Sequence, residues 1–66
     1  MEIFNLHSNS KKKIKDLKVV SHKEYDKNGK KRNNKYVEFT IIGKNHQWMD
    51  FMLLKDFKKL NPKIII

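Results

Sequence analysis

From Lys35 to Ile42 the chain alternates with period two: Val37, Phe39 and Ile41 share one face, and Tyr36, Glu38, Thr40 and Ile42 share the other. This is the signature of a strand with one face against a core. Turn sequences flank it, Asp26-Lys27-Asn28-Gly29-Lys30 before and Gly43-Lys44-Asn45-His46 after. A chain so punctuated is held to hairpins on both sides of this strand.

Register narrows the choice. Residues 14–25 read as the preceding strand, with Leu17, Val19 and Ser21 on one face and Lys18, Val20, His22 and Glu24 on the other. A two-residue Asn28-Gly29 turn would oppose Leu17 to Thr40 and Val19 to Glu38, and so mismatch the apolar faces. An odd-length loop with Gly29 in the left-handed conformation, or a longer loop reaching Asn34, brings odd-numbered apolar residues together. On the other side, a two-residue Lys44-Asn45 turn pairs Trp48 with Ile41 in a strand over Gln47–Met52.

The remaining segments are shorter. Glu2–Leu6 suits a first strand, and the polar stretch Asn5 to Lys13 reads as a loop. Lys11-Lys12-Lys13 opposes a helix starting at Ser10, because three cations would meet the positive end of its dipole. Leu53, Phe57 and Leu60 fall on one helical face. Asp56 comes early in that helix and Lys58 and Lys59 late; its start could be as early as Phe51 with Asp50 as the cap. Asn61-Pro62 stops it, Asn61 serving as a left-handed terminator. The tail Ile64-Ile65-Ile66 is expected to add as an edge strand. The expected fold is β-rich α+β: a small antiparallel sheet of three to five strands with one short C-terminal helix, either an SH3-like barrel or an open sheet with the helix on one face.

Sixty-six residues make one domain, residues 1–66. A chain this short buries only about 60% of the surface it exposes when unfolded. There is no cysteine, so neither disulfides nor thiolate zinc can staple it. His7, His22 and His46 match no metal-ligand spacing, and no cofactor motif is present. Stability must come from a compact core or from a partner, such as a second copy in a homodimer, and an anionic partner would also relieve a net charge of +9. The N-terminus has no basic region followed by a long apolar run, and no stretch is long enough to span a membrane, so a soluble cytoplasmic protein is expected.

Charge is the main clue to function. Fifteen lysines and one arginine stand against seven acids, and residues 1–35 hold most of the excess. Lys11, Lys12, Lys13, Lys15 and Lys18 form one cluster; Lys27, Lys30, Lys31, Arg32 and Lys35 form another, at the hairpin tip. Together they could line one edge and follow a phosphate backbone. Arginine's planar fork is the favoured reader of base edges, so a lysine-dominated set suits phosphate contact with little sequence preference. Tyr36, opposite to the core face, is the candidate ring to stack a base. Small size and Lys/Asn-rich composition suit a protein from a phage or another mobile element. Against this stands the bland alternative, that lysine richness follows an AT-rich genome and keeps strand edges from aggregating.

An apolar surplus in the second half, including Ile42, Met49, Phe51, Met52, Leu53, Leu54, Phe57 and Leu60, offers a second reading: a protein-binding module or an inhibitor of a host protein. His46 with Asp50, and His22 with Glu24, could share a strand face. With no nucleophile, carboxylate dyad or phosphate loop, the expectation is a non-enzyme.

Overall fold

The computed structural model describes all 66 residues. Four strands run in sequence, β1 (Glu2–Asn5), β2 (Ser10–Tyr25), β3 (Lys31–Ile42) and β4 (Gln47–Leu53), and the helix α1 (Leu54–Leu60) follows β4 without a loop. They form one antiparallel meander in the order β1-β2-β3-β4. The sheet curls into a half-barrel, with α1 against its inner face. This is the expected β-rich α+β architecture, with four strands.

The β2–β3 hairpin has the anticipated odd loop. Tyr25 pairs with Lys31, so residues 26–30 form a five-residue connection, and Gly29 has φ +76°. Asp26 organises it: its Oδ1 accepts from the backbone N–H groups of Asn28 and Lys30, both at 2.9 Å. Val19 consequently faces Val37. In the next hairpin Gly43 N–H donates to the His46 carbonyl at 2.9 Å, and Trp48 pairs with Ile41 as anticipated.

The long β2 strand needs a correction that simple alternation does not reveal. Ile14 is even-numbered, yet it is buried alongside odd-numbered neighbours. Register jumps between Lys15, opposite Thr40, and Lys18, opposite Glu38, leaving Asp16 and Leu17 facing Phe39 alone. This is a β-bulge. Asp16 takes φ +56°, a left-handed backbone that Asp tolerates better than most residues. The bulge lets Ile14 and Leu17 both turn inward.

The core is Ile3, Ile14, Val37, Phe39, Ile41, Met52 and Phe57, with Leu17, Leu54 and Ile64 packed around it. Phe57 is the one fully buried residue of α1, and its ring lies 6.5 Å from that of Phe39. Burying a side chain of this size contributes about 1.5–3 kcal/mol.

Three expectations fail for local reasons, and the helix takes the later of its possible starts. Lys11–Lys13 lie in a strand rather than a loop, because β1 must pair for Ile3 to be buried and Ile3 lies opposite Lys12. The helix starts at Leu54 rather than Phe51, because Phe51–Leu53 pair with Tyr36–Glu38, and no side chain caps its N-terminus. Asn61 ends the helix at φ −128°, outside the left-handed region. It acts through its side chain instead: Phe4 N–H donates to Oδ1 at 2.7 Å, and Nδ2 donates to the carbonyls of Phe4 at 3.2 Å and Phe57 at 3.3 Å. That amide takes up both polar groups of Phe4, where another strand would have paired. The isoleucine tail accordingly forms no strand; Ile64 packs on the core, and Ile65 is 97% exposed.

Replacing Asn61 with Ala leaves the Phe4 backbone groups unpaired and should cost about 2 kcal/mol in a denaturant titration, roughly 10 °C in Tm. At the bulge, Asp16→Gly should hold or raise stability, while Asp16→Val should lower it by about 1–2 kcal/mol.

Candidate nucleic-acid interface

Register arranges the outer face of the sheet in cross-strand rows. Lys15 lies beside Thr40 and Met49; Lys18 beside Glu38 and Phe51; Val20 beside Tyr36 and Leu53; His22 beside Asn34; and Glu24 beside Arg32. Before the bulge, Lys13 and Lys11 oppose Glu2 and Phe4 on the same outer face. Lys11, Lys13, Lys15 and Lys18 therefore line one surface, and the bulge is what keeps Lys18 in step with the other three. Alternate residues on a strand repeat about every 6.7 Å, comparable to the step between phosphates of an extended nucleic-acid strand. Lys12 is turned toward the inner face and is half-buried.

The second cluster occupies an arm. β4 pairs with β3 only from Tyr36 onward, and β1 pairs with β2 only as far as Lys13. The ribbon from Ser21 to Lys35 therefore stands clear with both edges free, and the molecule is drawn out to 43 × 26 × 20 Å. Lys31 and Lys35 lie on the face of this ribbon opposite to Arg32 and Tyr36. Lys27 and Lys30 are in the tip loop. The two clusters thus form two surfaces, a row on β2 and an arm, rather than one continuous edge.

Few of these charges are neutralised. The ion pairs are Lys18 to Glu38 at 3.6 Å, Arg32 to Asp26 at 3.1 Å and His7 to Asp50 at 3.0 Å. Of the fifteen lysines, only Lys18 has a carboxylate within 4 Å. Arg32 is committed inside the arm, where its Nε donates to the same Asp26 that holds the tip.

Tyr36 is on the outer face, as its position in the alternation indicates. Its hydroxyl donates to Glu24 Oε1 at 2.6 Å, and Asn34 Nδ2 donates to Glu24 Oε2 at 3.0 Å. These bonds, that from Tyr36 first, hold the Glu24 carboxyl below its ordinary value; the same bond raises the Tyr36 phenol. Phe51 is 55% exposed and Met49 66%, so the convex face carries apolar surface that α1, on the inner side, does not cover. Trp48 takes the inner side of β4 but sits at its rim, 41% exposed, stacked on His46 and tight against Gly43.

The His–carboxylate pairs suggested by sequence spacing do not form. His46 packs on Trp48, and His22 meets the Tyr36 ring rather than pairing with Glu24. Asp50 instead reaches His7, at the end of β1, and Asn5 Nδ2 donates to Asp50 Oδ2 at 3.2 Å. Asn5 is fully buried, and its Oδ1 accepts from His7 N–H. This cluster ties β1 to β4 where the half-barrel would otherwise gape. Burial pushes the Asp50 carboxyl up, but hydrogen bonds from Phe51 N–H, His7 and Asn5 outweigh it and leave it lowered. No sequence signal marks this contact between residues 43 positions apart.

No group of three or more His, Cys, Asp or Glu side chains is placed to hold a metal. No helix is long and apolar enough to cross a membrane. No protein family matches the chain, and neither a curated protein nor a solved structure matches it.

Because the folded Asp50 titrates below its unfolded value, it adds stability above the ordinary aspartate range, and this is lost as pH falls through the lower folded value. Urea titrations at stepped pH should show Asp50→Asn less stable than the natural chain near neutrality, with the gap closing in acid.

Proposed function

We propose that this protein is a small basic nucleic-acid-binding accessory protein that contacts phosphates with little sequence specificity. The observation that carries the reading is the nearly complete lack of carboxylate partners for its lysines, together with their arrangement as a row on β2 and a projecting arm. A merely solubilising charge distribution would intersperse both signs. Here Lys11, Lys13 and Lys15 extend along one strand face, and the ribbon from Ser21 to Lys35 bears six cations against two acids. Lysine ammonium groups are point charges suited to phosphate rather than to base edges. A two-stranded ribbon is also narrow enough to enter a duplex major groove about 12 Å wide. Tyr36 is bracketed by Glu24 and Glu38, so the path in this proposal follows the lysines and not that ring. A role with intracellular nucleic acid fits a cytoplasmic protein, such as one encoded by a phage or mobile element. The exposed Met49, Phe51 and Ile42 favour a second reading, a contact with another protein through the convex face.

The test is fluorescence anisotropy with mixed-sequence DNA and RNA across a salt series. Affinity should fall steeply, with a log–log slope of about −0.9 per neutralised phosphate on duplex DNA. The triple variant Lys11→Ala, Lys13→Ala, Lys15→Ala should make that slope shallower by up to about 2.7. Absence of binding at low salt removes the proposal.

A further inference from the structure

One part of the convex face has the opposite electrostatic character. His22, Glu24, Tyr36, Glu38 and Phe51 line an open depression of about 480 Å³. Its rings do not form a flat platform. Tyr36 stands at 69° to His22 with centroids 5.4 Å apart, and at 78° to Phe51 with centroids 5.7 Å apart. Near-perpendicular rings make walls, and their faces attract cations through the ring quadrupole. The lining holds two carboxylates, Glu24 and Glu38, and no lysine.

The carboxylates are positioned differently. Glu24 is fixed by Tyr36 and Asn34, which keeps Tyr36 in place as a wall. Glu38 is the less committed. Its only partner is Lys18, at 3.6 Å from Oε2, and neither of its oxygens is held by a hydrogen bond as those of Glu24 are. In the cross-strand row Glu38 stands between Lys18 on one side and the exposed Phe51 on the other. A planar cation lying on Phe51 could donate to Glu38 without meeting Lys18. Phosphate would be repelled here, while a cation without hydrogen-bond donors would leave Glu38 unused.

We propose that this depression is a receptor for an arginine side chain of a partner protein, the guanidinium stacking on Phe51 and donating to Glu38 between the walls set by Tyr36 and His22. Arginine fits because it is planar, always charged and carries donors that match a carboxylate. A second copy of this chain is a poor occupant: its sole arginine, Arg32, is held by its own Asp26. The site adjoins the lysine row at Lys18, which pairs with Glu38, but it does not depend on nucleic-acid binding.

The test is a titration of the ¹⁵N-labelled full chain with N-acetyl-arginine methylamide, followed by NMR. The lysine counterpart and the uncharged citrulline counterpart serve as comparisons. Arginine should give saturable shifts at His22, Tyr36, Glu38 and Phe51, with lysine weaker and citrulline silent. Glu38→Gln should weaken arginine about tenfold, the loss of a charge-assisted contact. Phe51→Ala, at an exposed site, should weaken it as well. Salt should change this affinity little, because it screens both the pocket's attraction and the repulsion from the +9 chain, whereas a polyanion would be lost steeply. Equal shifts from citrulline or lysine, shifts confined to other residues, or displacement of arginine from these residues by a single-stranded oligonucleotide would each overturn the proposal. An oligonucleotide that moves only Lys11–Lys15 and the tip of the arm, residues 27–32, leaves it standing.

Discussion

The architecture turns on one residue too many in β2. Asp16 adopts a left-handed backbone, and Asp16 and Leu17 together oppose Phe39. Without this extra residue the strand could present either Ile14 or Leu17 to the core, but not both. The bulge costs backbone strain and one position of ladder pairing, and it increases local twist. In return it aligns the apolar residues of both halves of β2 inward. It also keeps Lys11, Lys13 and Lys15 on the same outward surface as Lys18. Core and charged face are therefore settled by one local irregularity, and the twist it adds suits a sheet that curls.

Two buried asparagines complete what the strands leave open. Asn61 offers its primary amide to both polar groups of Phe4, as another strand's peptide would, and so ties the end of α1 to β1. Asn5, with Asp50 and His7, spans the gap between β1 and β4. Side-chain amides suit a small, highly charged chain for a physical reason. They satisfy backbone or carboxylate groups at single points, without requiring another strand from only 66 residues. The half-barrel is closed by polar contacts at two places, while Phe57 fills the interior between them.

The convex surface that results is divided. Lysines without carboxylate partners line β2 and the arm, and two glutamates, Glu24 on β2 and Glu38 on β3, stand among rings at the base of the arm. Such neighbouring regions favour ligands of opposite sign. At physiological ionic strength charges are screened over about 8 Å, so the distant cations of the chain weigh little on the carboxylates, while Lys18, 3.6 Å from Glu38, joins the two regions. The arm adds reach: it holds cations away from the body on a ribbon whose tip is held by the hydrogen bonds Asp26 accepts, with Gly29 permitting the turn.

Much of this could be read from the residues alone. Alternation in Lys35–Ile42 established β3 and its faces, loop parity ruled out a two-residue turn and left the odd connection with a left-handed Gly29 beside a longer loop, and the Leu53, Phe57 and Leu60 spacing located the short helix. These are local properties, carried by period and turn chemistry. The pairing of Lys11–Lys13 was not legible, because three consecutive lysines have no apolar alternation; they form a strand because β1 needs a neighbour. The bulge was hidden because Ile14 fits neither parity until Phe39 is known to face two residues. The roles of Asn5, Asp50 and Asn61, and the gathering of Glu24, Glu38, Tyr36 and Phe51, join residues distant in sequence. Sequence by itself determined the central strand and its faces, the turns on either side of it, the helical spacing near the C-terminus and how much positive charge the chain carries. Only the tertiary structure decided which charges share a surface and which meet carboxylates, because that depends on register and curl, and both are set by contacts between strands.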